Sequence, residues 1–348
     1  MMNNTNHTWA VVGAGPAGLA SVGLLLDAGV TAKDILWIDP YFQVGDFGRL
    51  WGEVSSNTSV ALFLEFLTKI QAFKYEQHPE NFALDNLPKE GFTQLKEVAE
   101  PLQWVTDHLR EKVTAVTGLV DTQLARKGAW ELTVAGEVYR AEKVILATGG
   151  SPRSLPFDVE EEIALSDALT PEKLSGMVQE KDKVAVFGSS HSAMIIIKNL
   201  LDAGASQVVN FYLQPIRYAV PMDGWTLYDN TGLKGKTAAW VRENLSAKTH
   251  PKVQRLISNK ENMDAQLSSC NKVVYATGFS QRAPHCEEID FQKYDTSCGI
   301  IAPGLFGTGI GFPKKVTDPN GNQELNVGLW KFMNDIRHAL PIWMQYGL

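Results

Sequence analysis

The chain has 348 residues, 44% of them apolar and 20% charged, with a formal net charge of −7, the make-up of a globular enzyme of two or three domains. The acidic balance argues against general attraction to nucleic acid or an anionic membrane, and no apolar run reaches the length of a membrane span. Cys270, Cys286 and Cys298 form no C-x-x-C pair; so sparse and odd a count argues against a disulfide framework, and residues 1–8 lack the order of a signal peptide, so a cytoplasmic protein is expected.

Trp9-Ala10-Val11-Val12 is a short apolar run ending in glycine, as a buried parallel strand does. Residues 16–28 follow with Leu19, Val22, Leu24, Leu25 and Leu26 at helical spacing, and Gly29 ends the helix. Residues 34–39 form the next strand, stopped by Pro40, which completes a β-α-β unit. Residues 113–117, 129–134 and 137–140 read as an antiparallel meander, with turns at Lys127-Gly128 and Ala135-Gly136. Residues 143–147 make an apolar strand that runs into Thr148-Gly149-Gly150.

Residues 152–181 read as a connector, after which the opening theme returns. Val184-Ala185-Val186-Phe187 leads into Gly188, a helix to about Ala203, and a strand over residues 207–214. Residues 272–278 repeat the step from strand to Thr-Gly. Two blocks therefore each begin with a glycine turn and each end in Ala-Thr-Gly, at Ala147-Thr148-Gly149 and Ala276-Thr277-Gly278. The tail has a glycine cluster over residues 304–311 and a last helix from Val327 to about Ala339. The fold class is α/β, with two Rossmann-like dinucleotide-binding units.

The first turn is Gly13-Ala14-Gly15-Pro16-Ala17-Gly18. Gly13 permits the tight strand-to-helix turn, Gly15 lets backbone approach a pyrophosphate, and Gly18 lets helix pack on sheet. The helix start offers free N–H groups and a positive dipole end to phosphates. Asp39 lies 26 residues after Gly13, where a carboxylate accepts hydrogen bonds from both ribose hydroxyls. In the second unit Gly188-Ser189-Ser190-His191-Ser192-Ala193 occupies the same place, with Ser190 and Ala193 at the second and third glycine positions. The same 26-residue step from Gly188 reaches Gln214, a neutral amide, with Arg217 three residues on. Loss of the acid removes repulsion toward a ribose 2′-phosphate and an arginine can neutralise one, so NADPH is expected there over NADH. His191 is expected near the nicotinamide nucleotide as a residue of the helix N-terminus, ahead of a role as catalytic base. No His/Cys cluster has ligand spacing, so no metal is expected.

The two glycine turns, two Ala-Thr-Gly steps and C-terminal glycine cluster together resemble the pyridine nucleotide–disulfide oxidoreductase superfamily over nearly the whole chain. That resemblance implies an NAD(P) domain (residues 151–278) inserted in a discontinuous FAD domain (residues 1–150 and 279–348). It implies FAD and NADPH as cofactors, with Thr148, Gly149, Gly278 and Gly309 beside them. The disulfide reductases need a C-x-x-C next to the flavin, which is absent here. Gly48-Arg49-Leu50-Trp51 instead looks like the Gly-Gly-x-Trp of flavin-containing and N-hydroxylating monooxygenases, with Arg49 at the second glycine. Ser55-Ser56-Asn57-Thr58-Ser59 is similar to the step those enzymes place beside the isoalloxazine, which makes Asn57 the match of the asparagine that supports the oxygenated flavin. Trp51 is read as a core or flavin-stacking aromatic.

The resemblance implies an NADPH-dependent monooxygenase that oxygenates a nitrogen, sulfur or ketone centre of a small molecule through a C4a-peroxyflavin. Two alternatives stay open: a flavin reductase passing electrons to a quinone or protein partner, and a non-catalytic FAD-binding scaffold. The last helix could aim its N-terminus at the flavin N1–C2 edge. The segment from Met222-Asp223-Gly224-Trp225 to Tyr228-Asp229-Asn230-Thr231-Gly232 is a candidate substrate loop. The expected partner is a small-molecule substrate, with homodimerisation left open.

Overall fold

The fold is built on two sheets, one mixed and one parallel. A computed structural model describes residues 6–126, 128–246 and 250–347; Lys127 of the expected Lys127-Gly128 turn lies outside the described residues, as do residues 1–5. In chain order the first part carries β1 (Asn6–Val12), α1 (Pro16–Asp27), β2 (Ile35–Asp39), α2 (Gly45–Leu50), α3 (Val60–Lys69), α4 (Lys96–Arg110), β3 (Thr114–Thr117), β4 (Val120–Arg126), β5 (Trp130–Val134), β6 (Glu137–Leu146) and β7 (Gly150–Pro152). The middle carries β8 (Glu161–Glu162), α5 (Leu165–Ala168), α6 (Pro171–Ser175), β9 (Lys183–Phe187), α7 (His191–Asp202), β10 (Gln207–Tyr212), β11 (Val220–Pro221), β12 (Thr226–Leu227), α8 (Gly235–Val241), β13 (Val253–Ile257), α9 (Lys260–Gln266) and β14 (Lys272–Tyr275). The last part carries β15 (Phe279–Gln281), β16 (Ile300–Ala302), β17 (Leu305–Gly307), β18 (Lys315–Thr317), β19 (Gln323–Leu325) and α10 (Leu329–Gln345).

The first sheet runs β16-β17-β6-β1-β2-β3, with β5 on β6 and β4 on β5. Its central strands are apolar on both faces because helices cover one side and the β4–β6 meander the other. β1 sits between β2 and β6, both parallel to it, with Val11 opposite Trp37 and Ile145. The second sheet runs β13-β10-β9-β14-β8, all parallel. Each sheet therefore repeats one plan: a strand, a helix, a second strand outside the first, and on the other side a strand that ends in Ala-Thr-Gly.

Several expected elements differ. The strand at residues 113–117 does not belong to the meander: β3 lies parallel to β2, with Leu36 opposite Thr114. The meander is β4-β5-β6. The strands read at 137–140 and 143–147 are one ten-residue strand, exposed in alternation at its start and fully buried at its end. It pairs with β5 over the first half and with β1 and β17 over the second, so its hydrophobic pattern changes midway. The connector at 152–181 holds β8, α5 and α6, whose Leu165, Ala168 and Leu174 join the second core. The last helix starts two residues later than expected and continues through Pro341 to Gln345, where Trp343 stacks on Phe306 at 5.0 Å between ring centres.

Candidate active site

The first glycine turn shows what each glycine is for. Gly13 has φ +110°, and a Cβ on it would lie 2.3 Å from the Ala147 carbonyl oxygen. A Cβ on Gly18 would lie 2.0 Å from the Gly13 oxygen. Packing alone therefore demands both. A Cβ on Gly15 would meet nothing nearer than 4.0 Å. The protein itself does not require that glycine, and the space beside it fits a group brought close to the backbone, as a pyrophosphate is. Pro16 opens α1 with no side-chain cap, so the first N–H groups stay free for an anion. Gly45 closes over the turn: a Cβ there would sit 2.9 Å from the Gly15 Cα.

Asp39 is almost wholly buried. Its Oδ2 accepts from Ala14 N at 2.7 Å, and its Oδ1 accepts from Tyr41 N at 2.8 Å and Phe42 N at 2.7 Å. Three of roughly four acceptor positions are filled. The carboxylate thereby ties the glycine turn to the chain after Pro40, which has no N–H to give.

The C-terminal glycine cluster closes on this turn. A Cβ on Gly309 would lie 2.8 Å from the Ala17 Cβ, and one on Gly311 2.5 Å from the Gly149 oxygen. Thr148 Oγ1 donates to the Arg282 carbonyl, and Arg282 N donates to Gly149 O at 3.1 Å. Arg282 Nη1 pairs with Asp46 at 2.7 Å. Arg49 lies 3.8 Å from the other oxygen of Asp46 and 3.8 Å from the Tyr41 ring centre. Arg282 and Asp46 were not singled out from the sequence, since only the fold brings them together.

The second turn is built the same way. Gly188 has φ +131°, and a Cβ on it would lie 2.5 Å from the Ala276 oxygen, as Gly13 meets Ala147. Gly278, the last residue of the second Ala-Thr-Gly, has open space around it. Ser189 and Ser192 are half-buried, and Ser190 is exposed at the start of α7. His191 begins α7, and its Nε2 lies 3.0 Å from the Ser55 carbonyl oxygen. Burial pulls its pKa down against that hydrogen bond, so the neutral ring donates Nε2–H to Ser55. Its Nδ1 is buried without a partner. Gln214 is exposed beyond the end of β10, and the Arg217 guanidinium lies 4.6 Å over the Tyr228 ring.

Ser55 leads to Asn57, which lines a cavity of about 870 Å³. Ser56 fixes that segment: its Oγ donates to Thr58 O at 2.8 Å and accepts from Thr93 N at 3.2 Å. Trp51 lies further off, edge-on to Phe279 at 6.1 Å. The opposite walls are the segment with Trp225, Asp229 and Asn230, the β18–β19 hairpin and the start of α10. Asp229 takes Lys234 Nζ at 2.6 Å and Lys331 Nζ at 2.5 Å; burial would raise its pKa, but the two ammonium groups hold it below the usual carboxylate range. Asn230 Oδ1 accepts from Lys331 at 2.7 Å, and Glu324 accepts from the Asn230 and Thr231 backbone N–H groups, each at 3.1 Å. Trp330 Nε1, in the same wall, is buried without a partner.

Residues 86–229 match the L-lysine 6-monooxygenase/L-ornithine 5-monooxygenase family. Monooxygenase AgnR1 of Paecilomyces divaricatus is 33% identical over 381 aligned positions, covering 96% of this chain and 97% of its own. The chain belongs to the flavin-dependent monooxygenases. Solved structures share its fold over nearly the whole length. An ornithine N-hydroxylase of Kutzneria sp. 744, solved with FAD, NADP⁺ and L-ornithine, superposes with a TM-score of 0.62 at 13% identity, covering 98% of this chain and 99% of that one. A flavin-containing monooxygenase of Stenotrophomonas maltophilia gives 0.63 at 14%, covering 98% of each. Of the three readings the sequence left open, membership supports the monooxygenase over the reductase and the scaffold. Among the described residues no helix is long and apolar enough to cross a membrane.

Proposed function

We propose that this monooxygenase carries FAD on residues 1–150 and 279–348 and takes NADPH on residues 151–278, and that it oxygenates a nitrogen, sulfur or ketone centre of a small molecule. The observation that carries this reading is the arrangement around Ser55. His191 of the second turn hydrogen-bonds a carbonyl two residues from Asn57, so the nucleotide unit and the Asn57 segment meet beside one cavity. Bound FAD supplies the oxygen-activating redox chemistry once NADPH has reduced it.

The chain's own residues do the rest. Free N–H groups at the start of α1 hold the pyrophosphate, with Gly15 allowing close approach. Asn57 offers a carboxamide to the reacting end of the flavin. The N-terminus of α10 offers donors on the opposite wall, where negative charge on a reduced ring would be stabilised. The Asp229–Lys331–Asn230 contacts fasten the cavity wall to the start of α10. The protein is read as cytoplasmic, and sizing of the pure protein would decide whether it pairs as a homodimer.

The test compares oxygen consumed with hydrogen peroxide released when the FAD-loaded protein is mixed with NADPH and candidate amines, thiols or ketones. A monooxygenase given its substrate consumes oxygen without releasing equal peroxide. Flavin that NADPH fails to bleach without oxygen would overturn the reading.

A further inference from the structure

Arg255 carries a charge that the fold does not neutralise. It lies on β13 opposite Asn210 of β10 and is half-buried. Its Nε donates to Asn210 Oδ1 at 2.9 Å, and its guanidinium lies 4.6 Å over the Tyr212 ring. Nη2 is buried and has no hydrogen-bond partner. Among the described residues no carboxylate comes within 4.0 Å of it. Burial draws its pKa down, and only Tyr212 and Tyr218 oppose that. A half-buried cation without a counter-ion is a standing cost to the fold, relieved when an anion arrives.

Its position says which anion. Asn210 Nδ2 donates to the Gly188 carbonyl at 2.8 Å, so one side chain separates Arg255 from the second glycine turn. The guanidinium reaches from opposite Asn210 to Tyr212, toward the C-terminal ends of the strands, where open α/β sheets bind ligands. The pyrophosphate of a dinucleotide sits at the glycine turn, and the adenosine ribose at the end of the second strand. Here the second strand is β10, and β13 lies on its outer side, away from β14. The anion of a dinucleotide that comes to this side is the ribose 2′-phosphate.

We propose that Arg255, reaching from β13, anchors the 2′-phosphate of NADPH. The assignment rests on the reading of the second turn as an NADPH site. It differs from the assignment drawn from spacing alone, which named Arg217, a residue beyond the end of β10 whose guanidinium lies 4.6 Å over the Tyr228 ring. Arg255 offers a phosphate a fork of donors, in a place shielded from water.

The test uses the FAD-loaded protein and two probes, adenosine 2′,5′-bisphosphate and adenosine 5′-monophosphate, titrated calorimetrically. Wild type should hold the bisphosphate about tenfold or more tighter than the monophosphate. Arg255→Met should abolish that difference and leave the monophosphate unchanged, Arg255→Lys should restore part of it, and Arg217→Ala should keep it. With no nucleotide present, Arg255→Met should melt close to wild type, because the unpaired charge it removes offsets the Nε–H donor that Asn210 Oδ1 loses. If wild type does not distinguish the probes, the NADPH reading fails and the assignment with it. If wild type does and Arg255→Met still does, or Arg217→Ala does not, the assignment alone is overturned. Equal weakening of both probes with a lowered melting temperature would make Arg255 a strut for the glycine turn and would also overturn it.

Discussion

Gly15 and Asn57 test the site at the scale of single residues. A valine at position 15 keeps the fold, because the space beside Gly15 is open, but its branched side chain occupies the approach of the pyrophosphate. Gly15→Val should therefore purify folded and colourless, as the absorbance ratio of flavin to protein will show. Asn57→Leu should load FAD normally, because the glycine turn holds the nucleotide. It loses a hydrogen bond in a dry site, about 1–3 kcal/mol, and so should shorten the lifetime of the oxygen-reactive state some five- to hundredfold. Peroxide yield per NADPH should rise accordingly; an unchanged yield would reduce Asn57 to a turn residue. His191 makes a claim about pH. Its folded pKa lies below the value of 6.5 for a free imidazole, so the unfolded chain binds the proton more readily. Its contribution to stability is complete above 6.5 and is lost as pH falls from there through the folded pKa. His7 and His108 act in the same direction. Melting temperature should drop between pH 7 and pH 5, and His191→Gln should flatten part of that slope.

At the scale of elements, sequence and structure agree where one local pattern decides the outcome. The turn at Gly13 and the turn at Gly188 were legible because strand, glycine and helix follow one another without interruption. The meander was misassigned because residues 137–146 change from one-sided to two-sided burial within a single strand, and a periodicity of two cannot span that change. The cavity wall was legible only as a polar, aromatic stretch. Its fastening joins Asn230 to Lys331, 101 residues apart, and no local pattern encodes such a pair. Asp39 was legible as an acid at the right distance, but its duty to three backbone N–H groups was not. The fastening can be tested directly. Lys331→Met leaves Asp229 with Lys234 as its remaining cation and Asn230 Oδ1 with the Val327 N–H as its remaining donor. The partly exposed loop should loosen by roughly 1–2 kcal/mol, visible as faster hydrogen exchange in residues 226–234 and as more peroxide from a wetter cavity.

At the scale of the whole molecule, the two sheets are sewn into the chain differently. The second sheet is drawn from one continuous stretch, β8 to β14. The first is not: β17, after residue 300, pairs with β6, setting Leu305, Phe306 and Gly307 against Val144, Ile145 and Leu146. Phe306 is wholly buried in the first core. As the polypeptide leaves the ribosome, the part made first must wait, its β6 edge bare, while the part made second can already close. A chain stopped after residue 298 should consequently keep the second sheet protected in hydrogen exchange while Val144 and Leu146, whose N–H groups face β17, exchange freely, and it should aggregate through that open edge. For this protein, order of synthesis and order of completion run in opposite directions.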